Sequence, residues 1–497
     1  MKTTPILIKL FLAVASTLIQ CTLMGEARPN ILWIIPDDMS AHFSCYGETS
    51  IQTPHVDRLA TQGVRFARAY VTAPVCSTCR SALITGMYQT SIGAHHHRSG
   101  RGAQKIRLPE HVRLVPKYFQ DAGYHTSISG WPSGSGRFGK TDYNFEWDSH
   151  VYDGTDWSER KSGQPFFAQI HTQGGKLRGK DRKGWEKISR SAAQKFGRET
   201  PVSAVRLPPY YPDHPEILRD WAAYLDSVRM TDNMVGEVLD RLEKEGLREN
   251  TLVIFMTDHG ISHARGKQFL YDEGIHVPLI ISGPGIAPGN VREDLVEHID
   301  IAAVSMAAAG MTIPAHMHSR NILASHYRER QAVFSARDRC DETVDHMRSV
   351  RTRKYKYIRH FLPNRPYLQP CAYKDAKSIL IALREWHSAG KLTATQSLIF
   401  ADTRPAEELF LLSSDPHEIR NLAGDPQYAK PLGQMRQQLN DWMRQTKDQG
   451  LQPESAELYA SDMAVYTRNL QRKANSEHLN RIRDNIALMK KWASEGK

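Results

Sequence analysis

Two continuous apolar runs, far apart in the chain, both end in residues that commonly bind metal ions. The first run spans residues 30–36 and the second spans residues 251–257. Uninterrupted apolar runs of this length are typical of strands that are buried on both faces, as in parallel sheets. The residues that directly follow them are Asp37 and Asp38 after the first run, and Asp258 and His259 after the second.

The carboxyl ends of parallel strands share one edge of a sheet, where open α/β folds bind their ligands. Adjacent carboxylates such as Asp37 and Asp38 repel each other unless a cation holds them. On their own these two residues would fit a capped turn equally well. The second run, with its own carboxylate and imidazole, favours a pocket for a divalent ion.

Between these runs the chain alternates between helical and strand patterns. A short helix over 53–63 is followed by a strand over 64–71, and a helix over 108–122 by a strand over 124–129. Repeated units of this kind predict a mostly parallel central sheet with helices on both faces. The chain has 497 residues, which is more than one hydrophobic core usually supports, so we expect a second, smaller domain.

The pattern changes near residue 331. Short alternating segments at 332–336, 347–352, 355–359 and 409–412 predict a small antiparallel sheet, and a helix is predicted over 428–446. We therefore divide the chain into a signal peptide (1–27), a catalytic α/β domain (28–330), a small α+β domain (331–450) and a polar, helix-prone tail (451–497).

The first 27 residues resemble a secretory signal. Lys2 and Lys9 flank an apolar run over 6–23, and Gly25-Glu26-Ala27 fits a cleavage site, so we expect an exported protein, periplasmic or secreted, that begins at Arg28. A lipoprotein signal ending at Cys21 is the less favoured alternative, because Gln20 is bulky. No later segment is apolar and long enough to predict a membrane-spanning helix.

The charge balance suits an anionic partner. The formal net charge is +11, and +10 without residues 1–27. A sulfated or carboxylated polysaccharide fits this charge, although a solvated basic surface is an alternative. No nucleic-acid-binding motif is present, so we predict no nucleic-acid partner. Five cysteines remain after signal removal, an odd number that leaves at least one unpaired; Cys340 with Cys371 is a candidate disulfide.

A short stretch from Cys76 to Gly86 places a nucleophile at the start of a predicted helix. Arg80 follows Cys76 by one helical turn, so a fixed positive charge and the helix N-terminus both favour an anion there. The alternative for Cys76 is an inert core thiol.

Several motifs, taken together and in order, resemble the type I sulfatases of the alkaline-phosphatase-like superfamily, with the bacterial heparan N-sulfatase-like and arylsulfatase-like members nearest in character. The resemblance runs in register from about Arg28 to Gly310. Its motifs are Pro36-Asp37-Asp38, Thr53-Pro54-x-x-Asp57-x-Leu59-Ala60, Cys76-x-x-x-Arg80-Ser81-Ala82-Leu83-x-Thr85-Gly86, Thr257-Asp258-His259-Gly260 and Lys267-x-x-Leu270-Tyr271-x-Glu273-Gly274-x-x-Val277-Pro278.

The resemblance implies that a formylglycine-generating enzyme oxidises Cys76 to formylglycine, whose hydrated aldehyde is the nucleophile. It also implies one calcium ion per active site. The ion's ligands would be Asp37, Asp38, Asp258, His259 and the modified Cys76. His259 stands where other members carry Asn, and imidazole is a softer ligand than a carbonyl oxygen.

The same resemblance assigns the remaining catalytic and substrate-binding roles. Arg80 would anchor the hydrated aldehyde, while Lys140, His171 and Lys267 would bind the sulfate group, and His171 would also protonate the leaving oxygen. Without the resemblance, His171 would fit a core histidine and Lys267 an ordinary surface lysine.

The chain departs from the family pattern at three places. Thr78 stands where the family has Pro or Ala. No histidine follows Lys140 at the family's spacing, so Asp142 or one of the histidines 95–97 is the candidate to replace it. For the three histidines we expect a substrate-facing loop, with a metal site as the alternative. The basic segment 174–215 is predicted to be a loop over the pocket. Its candidate contacts to an anionic polymer are Arg178, Lys180, Arg182 and Lys183.

The sequence therefore predicts a sulfatase that hydrolyses sulfate esters of a carbohydrate. Alternatives within the superfamily are a sulfamidase or a phosphodiester or phosphonate hydrolase. An alternative from another class is an inactive polysaccharide-binding protein, if Thr78 prevents the maturation of Cys76.

Overall fold

The computed structural model describes residues 28–472 and 476–497, so the predicted signal peptide lies outside the described residues. The strands are β1 (Asn30–Pro36), β2 (Val64–Tyr70), β3 (His125–Ser129), β4 (Phe166–Thr172), β5 (Thr251–Met256), β6 (His276–Ser282), β7 (Asn290–Arg292), β8 (Val296–Glu297), β9 (Val333–Arg337), β10 (Met347–Arg351), β11 (Tyr355–His360) and β12 (Glu407–Leu411). The helices are α1 (Pro54–Thr61), α2 (Cys76–Thr85), α3 (Val115–Asp121), α4 (Arg182–Phe196), α5 (Pro215–Lys244), α6 (Asp272–Ile275), α7 (Asp300–Ala308), α8 (Ala372–Asp375), α9 (Ser378–Ser388), α10 (Ala394–Ser397), α11 (Ala429–Gln445), α12 (Ala456–Arg472) and α13 (Ser476–Ser494).

The large sheet has the strand order β3-β4-β1-β5-β6-β2-β7, with β8 also paired to β2. β6 pairs antiparallel with both β5 and β2, and the other described pairings in this sheet are parallel. A separate antiparallel sheet has the order β12-β11-β10-β9. The predicted fold class, a mostly parallel α/β sheet with a smaller antiparallel sheet, is confirmed.

The register of the central strands brings the predicted ligands to one edge. β1 lies between β4 and β5, parallel to both, with Ile35 opposite His171 and Ile34 opposite Phe255. Past the strand ends, the Asp37 amide donates to Thr172 O at 3.2 Å and the Asp258 amide donates to Pro36 O at 3.1 Å. Three strands therefore end at the same level, and the side chains that follow them lie side by side.

Successive residues of β1 point to opposite faces of the sheet, and both faces are buried. Trp33 and Ile35 belong to a core on the side of α2 and α7, and Leu32 and Ile34 to a core on the side of α1 and α5. The unbroken apolar run is explained by this double burial.

Two predicted segments differ from the structure. The helix predicted over 108–122 is only α3, because Pro116 in its first turn has no amide hydrogen to donate to a carbonyl one turn earlier, so the helix does not extend toward residue 108. The segment 174–215, predicted as a loop, contains α4, which Asp181 caps by accepting from the Gly184 amide. Trp185 and Ile188 of α4 pack against Ala223 of α5, an apolar stripe hidden among many charges.

The small sheet packs directly on the large one. The Ala336 amide donates to Thr72 O at 2.9 Å, and Ser335 Oγ donates to Val71 O at 2.7 Å. Val333 and Met347 belong to the same hydrophobic cluster as Trp33. The tail forms α12 and α13, which pack around Tyr459, Met463 and Met489. The division at residues 330 and 450 stays a prediction.

The predicted Cys340–Cys371 disulfide is wrong in this structure, where both residues are buried free thiols. Burial raises the pKa of both thiols, and the neighbouring carboxylates raise it further. Across the two described ranges, no helix combines the length and apolar content needed to cross a membrane.

Trp33 is the largest core side chain of the central strand, and its removal tests the buried-strand interpretation. Its ring meets Phe167 edge-on at 5.0 Å, and its Nε1 donates to Ser305 Oγ at 2.8 Å. We expect Trp33→Ala to lower the free energy of unfolding by about 3–5 kcal/mol, through lost burial and the cavity left behind. Chemical denaturation measures this. Val291→Ala, at a position 47% exposed on β7, is the control and should change stability by less than about 0.5 kcal/mol.

Candidate active site

Cys76 is the first residue of α2, and its sulfur lies at the carboxyl edge of the large sheet. Every residue of this helix is buried. The Cys76 sulfur is 3.1 Å from Lys267 Nζ, 3.1 Å from His259 Nε2, 3.6 Å from Lys176 Nζ and 3.8 Å from Asp38 Oδ1. Motifs nearly 200 residues apart therefore meet at one atom.

The three carboxylates of the site are buried and matched by cations. Asp37, Asp38 and Asp258 are at most 5% exposed. Arg80 Nε donates to Asp258 Oδ2 at 3.1 Å, and an Arg80 Nη2 bond reaches Asp37. Lys140 Nζ donates to Asp37 Oδ2 at 2.9 Å. Burial opposes ionisation of Asp37, yet the neighbouring cations outweigh it and hold the pKa of this carboxyl well below its usual range.

The donor atoms fit a divalent ion. One ligand atom each from Asp38, Cys76 and His259 lies within 4.8 Å of the others. The Nδ1 of His259 is bonded to Gly260 O at 2.9 Å, which leaves Nε2 facing Asp38 Oδ1 at 3.1 Å. A ring nitrogen held by a carbonyl is the usual support for a metal-binding imidazole. The carboxylate-rich set suits a hard cation, and the imidazole makes the set somewhat softer.

The electrostatics of the site favour an anion at Cys76. Burial by itself raises the pKa of the Cys76 thiol. The ammonium groups of Lys140, Lys176 and Lys267 outweigh this effect and lower the pKa to about 6. Cys79, one turn along the same helix, is buried beside Asp258, and its pKa is raised well above the ordinary value. Only Cys76 of the pair lies in an environment that stabilises negative charge.

His171 lies at the end of β4 with one nitrogen committed. The Lys140 amide donates to His171 Nδ1 at 2.9 Å. In the neutral ring the proton is therefore on Nε2, which is buried without a hydrogen-bond partner. Burial and the nearby Arg80 guanidinium lower the pKa of this imidazole, so it is a neutral hydrogen-bond donor beside Lys140.

Lys176 is a site residue that the sequence analysis missed as such. Its Nζ lies 2.5 Å from Asp37 Oδ2, in addition to its contact with Cys76. The approach depends on Gly174 and Gly175, where an added Cβ would come within 2.1 Å of Asp37 O and 2.2 Å of Asp38 O. The Gly-Gly-Lys sequence just after a strand end was the available signal.

Two predicted replacements for the missing histidine border the site. The Asp142 carboxylate is 3.8 Å from Lys140 Nζ and 3.9 Å from Arg80 Nε. His97 Nδ1 is hydrogen-bonded to Ser77 Oγ at 2.7 Å, next to Cys76 in the chain. His95 and His96 are buried with their rings tilted against each other at 4.2 Å, and neither has a described contact with Cys76.

The predicted basic loop supplies fewer free charges than expected. Arg178 is buried and paired with Asp220 at 3.0 Å, so it is not available to a polymer. Arg182 is exposed and paired with Glu216 at 2.6 Å. A further contact to Lys267 comes from Tyr373 of α8, whose ring lies 5.2 Å from Lys267 Nζ. The expected contacts of Lys180 and Lys183 with a polymer stay predictions.

The sulfatase family model matches residues 29–311, more than half of the chain. The chain belongs to the sulfatase family. A second model, described as the C-terminal part of N-sulphoglucosamine sulphohydrolase, matches residues 259–367. The expected family is thereby confirmed, and the chain is a sulfuric ester hydrolase of a formylglycine-dependent, metal-using family.

Named relatives agree along most of the chain. An ulvan-active sulfatase of Formosa agariphila is 32% identical over 86% of this chain and 77% of its own length. The human N-sulphoglucosamine sulphohydrolase is 26% identical over 85% of this chain and 91% of its own. A putative sulfatase structure from Bacteroides thetaiotaomicron has a TM-score of 0.61, with 21% identity over 87% of this chain and 96% of its own, and shares the fold.

The lowered pKa of Cys76 can be measured on protein produced without maturation. We expect a small thiol reagent to modify Cys76 with a midpoint near pH 6, because the thiolate is the reacting form. In Lys176→Ala the midpoint should rise, because a positive charge beside the thiolate is lost. Peptide mass spectrometry across a pH series gives both midpoints, with Cys79 as the internal control. Equal midpoints in the two proteins would contradict this account.

Proposed function

We propose that the protein is an exported carbohydrate sulfatase that hydrolyses sulfate esters of a sulfated polysaccharide or of saccharides derived from it. The observation that carries the proposal is the position of Cys76, at a helix N-terminus between a carboxylate-imidazole cluster and three lysines. The basic charge of the chain suits such a polymer. The ulvan-active relative and the human N-sulphoglucosamine sulphohydrolase support a saccharide substrate.

Cys76 is proposed to be matured to formylglycine by a formylglycine-generating enzyme. A hydrated aldehyde at this position would supply the oxygen that attacks the sulfur of the sulfate ester, with the sugar alcohol as leaving group. Thr78, the unusual residue of the motif, donates its hydroxyl to Val75 O at 2.8 Å within the first turn of α2. Its side chain is therefore accommodated in the folded helix.

A calcium ion held by Asp37, Asp38, Asp258 and His259 fits the donor set, and it would supply positive charge that lowers the pKa of the attacking oxygen. The chain's own cations then serve the substrate. Lys267 lies 3.1 Å from the nucleophile position and carries one of the positive charges that would face the sulfate oxygens.

His171 is proposed to donate from Nε2, which has no partner in the described structure and is held in that tautomer by the Lys140 amide. A hydrogen bond from this nitrogen to a sulfate oxygen or to the leaving oxygen would neutralise charge that grows as the ester bond breaks. Arg80, one turn into α2, holds the Asp37 and Asp258 carboxylates in place through its hydrogen bonds.

A sulfamidase, acting on an N-sulfated amino sugar, is the second candidate. It is favoured by the match of residues 259–367 to the C-terminal model of N-sulphoglucosamine sulphohydrolase and by the similarity to the human enzyme of that name. The same nucleophile and lysines would serve both reactions, since both transfer a sulfuryl group. Paired O-sulfated and N-sulfated glucosamine substrates separate the two candidates by which sulfate is released.

The maturation of Cys76 can be tested directly. In protein from a host with a maturation system, we expect the Cys76 peptide to be lighter by about 18 Da, the change from thiol to aldehyde. The turnover of sulfated saccharides should increase with the fraction of protein that carries the modified Cys76, and it should vanish in Cys76→Ala. A fully active protein that keeps an unmodified thiol would exclude the proposed mechanism.

The roles of Lys267 and His171 predict distinct losses. Lys267→Ala should lower kcat/KM by about 10²–10³-fold, because one positive charge facing the sulfate is removed. His171→Gln should lower kcat by about 10²-fold or more. Steady-state kinetics on matured protein measure both. Lys195→Ala, at a lysine 48% exposed on α4, is the control and should leave kcat/KM unchanged.

A further inference from the structure

A cleft of about 80 Å³ lies beside the active site and has no role so far. Three distant parts of the chain line it: the loop after α2, the turn after β9, and the tail helix α12. Its polar lining consists of Arg98, Arg101, Arg339, Asp341, Asp462, Tyr466 and Asn469. We call this group the tail cleft.

The tail cleft is joined to the nucleophile by the segment that carries His97. His97 Nδ1 and the Arg98 amide both bind Ser77 Oγ, at 2.7 and 2.9 Å, and Ser77 directly follows Cys76. On its other side, Arg101 Nη2 donates to Asp142 O at 3.3 Å, while the Asp142 carboxylate faces Lys140. Hydrogen bonds thus connect the lining of the cleft to Ser77 and Asp142, which adjoin Cys76 and Lys140.

The three arginines of the tail cleft differ in how their guanidinium groups are paired. Arg339 is fully occupied by Glu454 and Asp462, at 2.7 Å each. Arg98 Nη1 lies 3.2 Å from Asp341 Oδ1. Arg101 is exposed, and its guanidinium forms no ion pair within the described residues, since its one described hydrogen bond goes to a backbone oxygen. Among the three arginines of the cleft, Arg101 is therefore the one whose guanidinium is not bonded to a carboxylate of the described residues.

The tail helix α12 fixes the backbone of the loop that carries Arg101. Asp462 Oδ1 accepts from the Arg101 amide at 3.1 Å, and Ser461 Oγ accepts from the Gln104 amide at 3.0 Å. Gly102 packs so closely on α12 that an added Cβ would lie 2.1 Å from Ser461 Oγ. The loop that carries Arg101 therefore takes its shape from the tail.

We propose that the tail cleft binds a second anionic group of the substrate saccharide, a carboxylate or a further sulfate, with Arg101 as its main contact. The proposal rests on the proposed function, because it places this second anion on the same molecule whose sulfate ester faces Cys76. The Arg98–Asp341 pair offers donors and acceptors to sugar hydroxyls, and the Tyr466 ring offers an apolar face.

A metal ion is the other ligand that the neighbourhood suggests, since ligand atoms of His97, Cys340 and Asp341 lie within 4.8 Å of one another. Two observations speak against it. The Asp341 carboxylate is already paired with Arg98, and Arg339 Nη1 donates to Asp341 O at 2.9 Å. A cation bound there would have to displace Arg98 from the Asp341 carboxylate.

The test measures binding separately from turnover. The probes are D-glucosamine-2-N,6-O-disulfate against D-glucosamine 6-O-sulfate, and a sulfated uronate-containing disaccharide against the same disaccharide with its carboxylate reduced. Calorimetry on the Cys76→Ala protein and on its double variants gives the affinities. We expect Arg101→Ala to weaken the binding of one doubly charged probe about tenfold or more. The binding of the singly charged probe of the same pair should change little. The pair that responds shows whether a sulfate or a carboxylate is bound.

Arg101→Lys should restore part of the affinity, because it keeps the charge. Arg107→Ala is the matched control from the same segment, where the side chain is 84% exposed and should have no effect. Equal losses for both members of each pair, no loss in either pair, or no binding of any probe by the parent protein would overturn the proposal.

Turnover by matured protein distinguishes failure of the proposed function from failure of the tail-cleft proposal. Release of sulfate from the singly charged probes by both the wild type and Arg101→Ala, with no Arg101-dependent binding, would leave the proposed function standing and reject the tail cleft. Arg101-dependent binding without any sulfate release would reject the proposed function and retain the cleft.

Discussion

The pairing of buried carboxylates with buried cations is the interaction on which the active site depends. Asp37, Asp38 and Asp258 are almost completely buried at one sheet edge, where unpaired charges would be costly. Arg80, Lys140, Lys176 and Lys267 offset this cost from four separate segments. The result is a dense alternation of charges around the Cys76 sulfur, and it lowers the pKa of the thiol.

The sheet makes this arrangement possible. β1, β4 and β5 are parallel neighbours, so their carboxyl ends place Asp37, His171 and Asp258 at one level. The two apolar faces fix the register, because a slip by one residue would turn Trp33 and Leu32 toward the wrong cores. The position of the proposed metal ligands is thus a consequence of the hydrophobic packing of these strands.

The C-terminal tail positions residues next to the active site. α12 holds the loop of Arg101 through Asp462 and Ser461, and it closes one side of a cleft next to the site. Substrate recognition in this protein would then depend on a segment nearly 400 residues from the nucleophile in sequence. Such a division lets the catalytic edge stay the same while the lining of the cleft differs between related proteins.

The sequence by itself determined the fold class, the family and the residues at the strand ends, because long apolar runs and ordered motifs are local signals. Only the tertiary structure decided which cations reach the carboxylates. Lys176 contacts Asp37 because Gly174 and Gly175 let the backbone pass close to Asp37 and Asp38, whereas Arg178, two residues later, is paired with Asp220. It also showed α4 where a loop was predicted, and unpaired thiols at Cys340 and Cys371. These outcomes depend on which side chains meet across the fold, and neither composition nor spacing encodes that information.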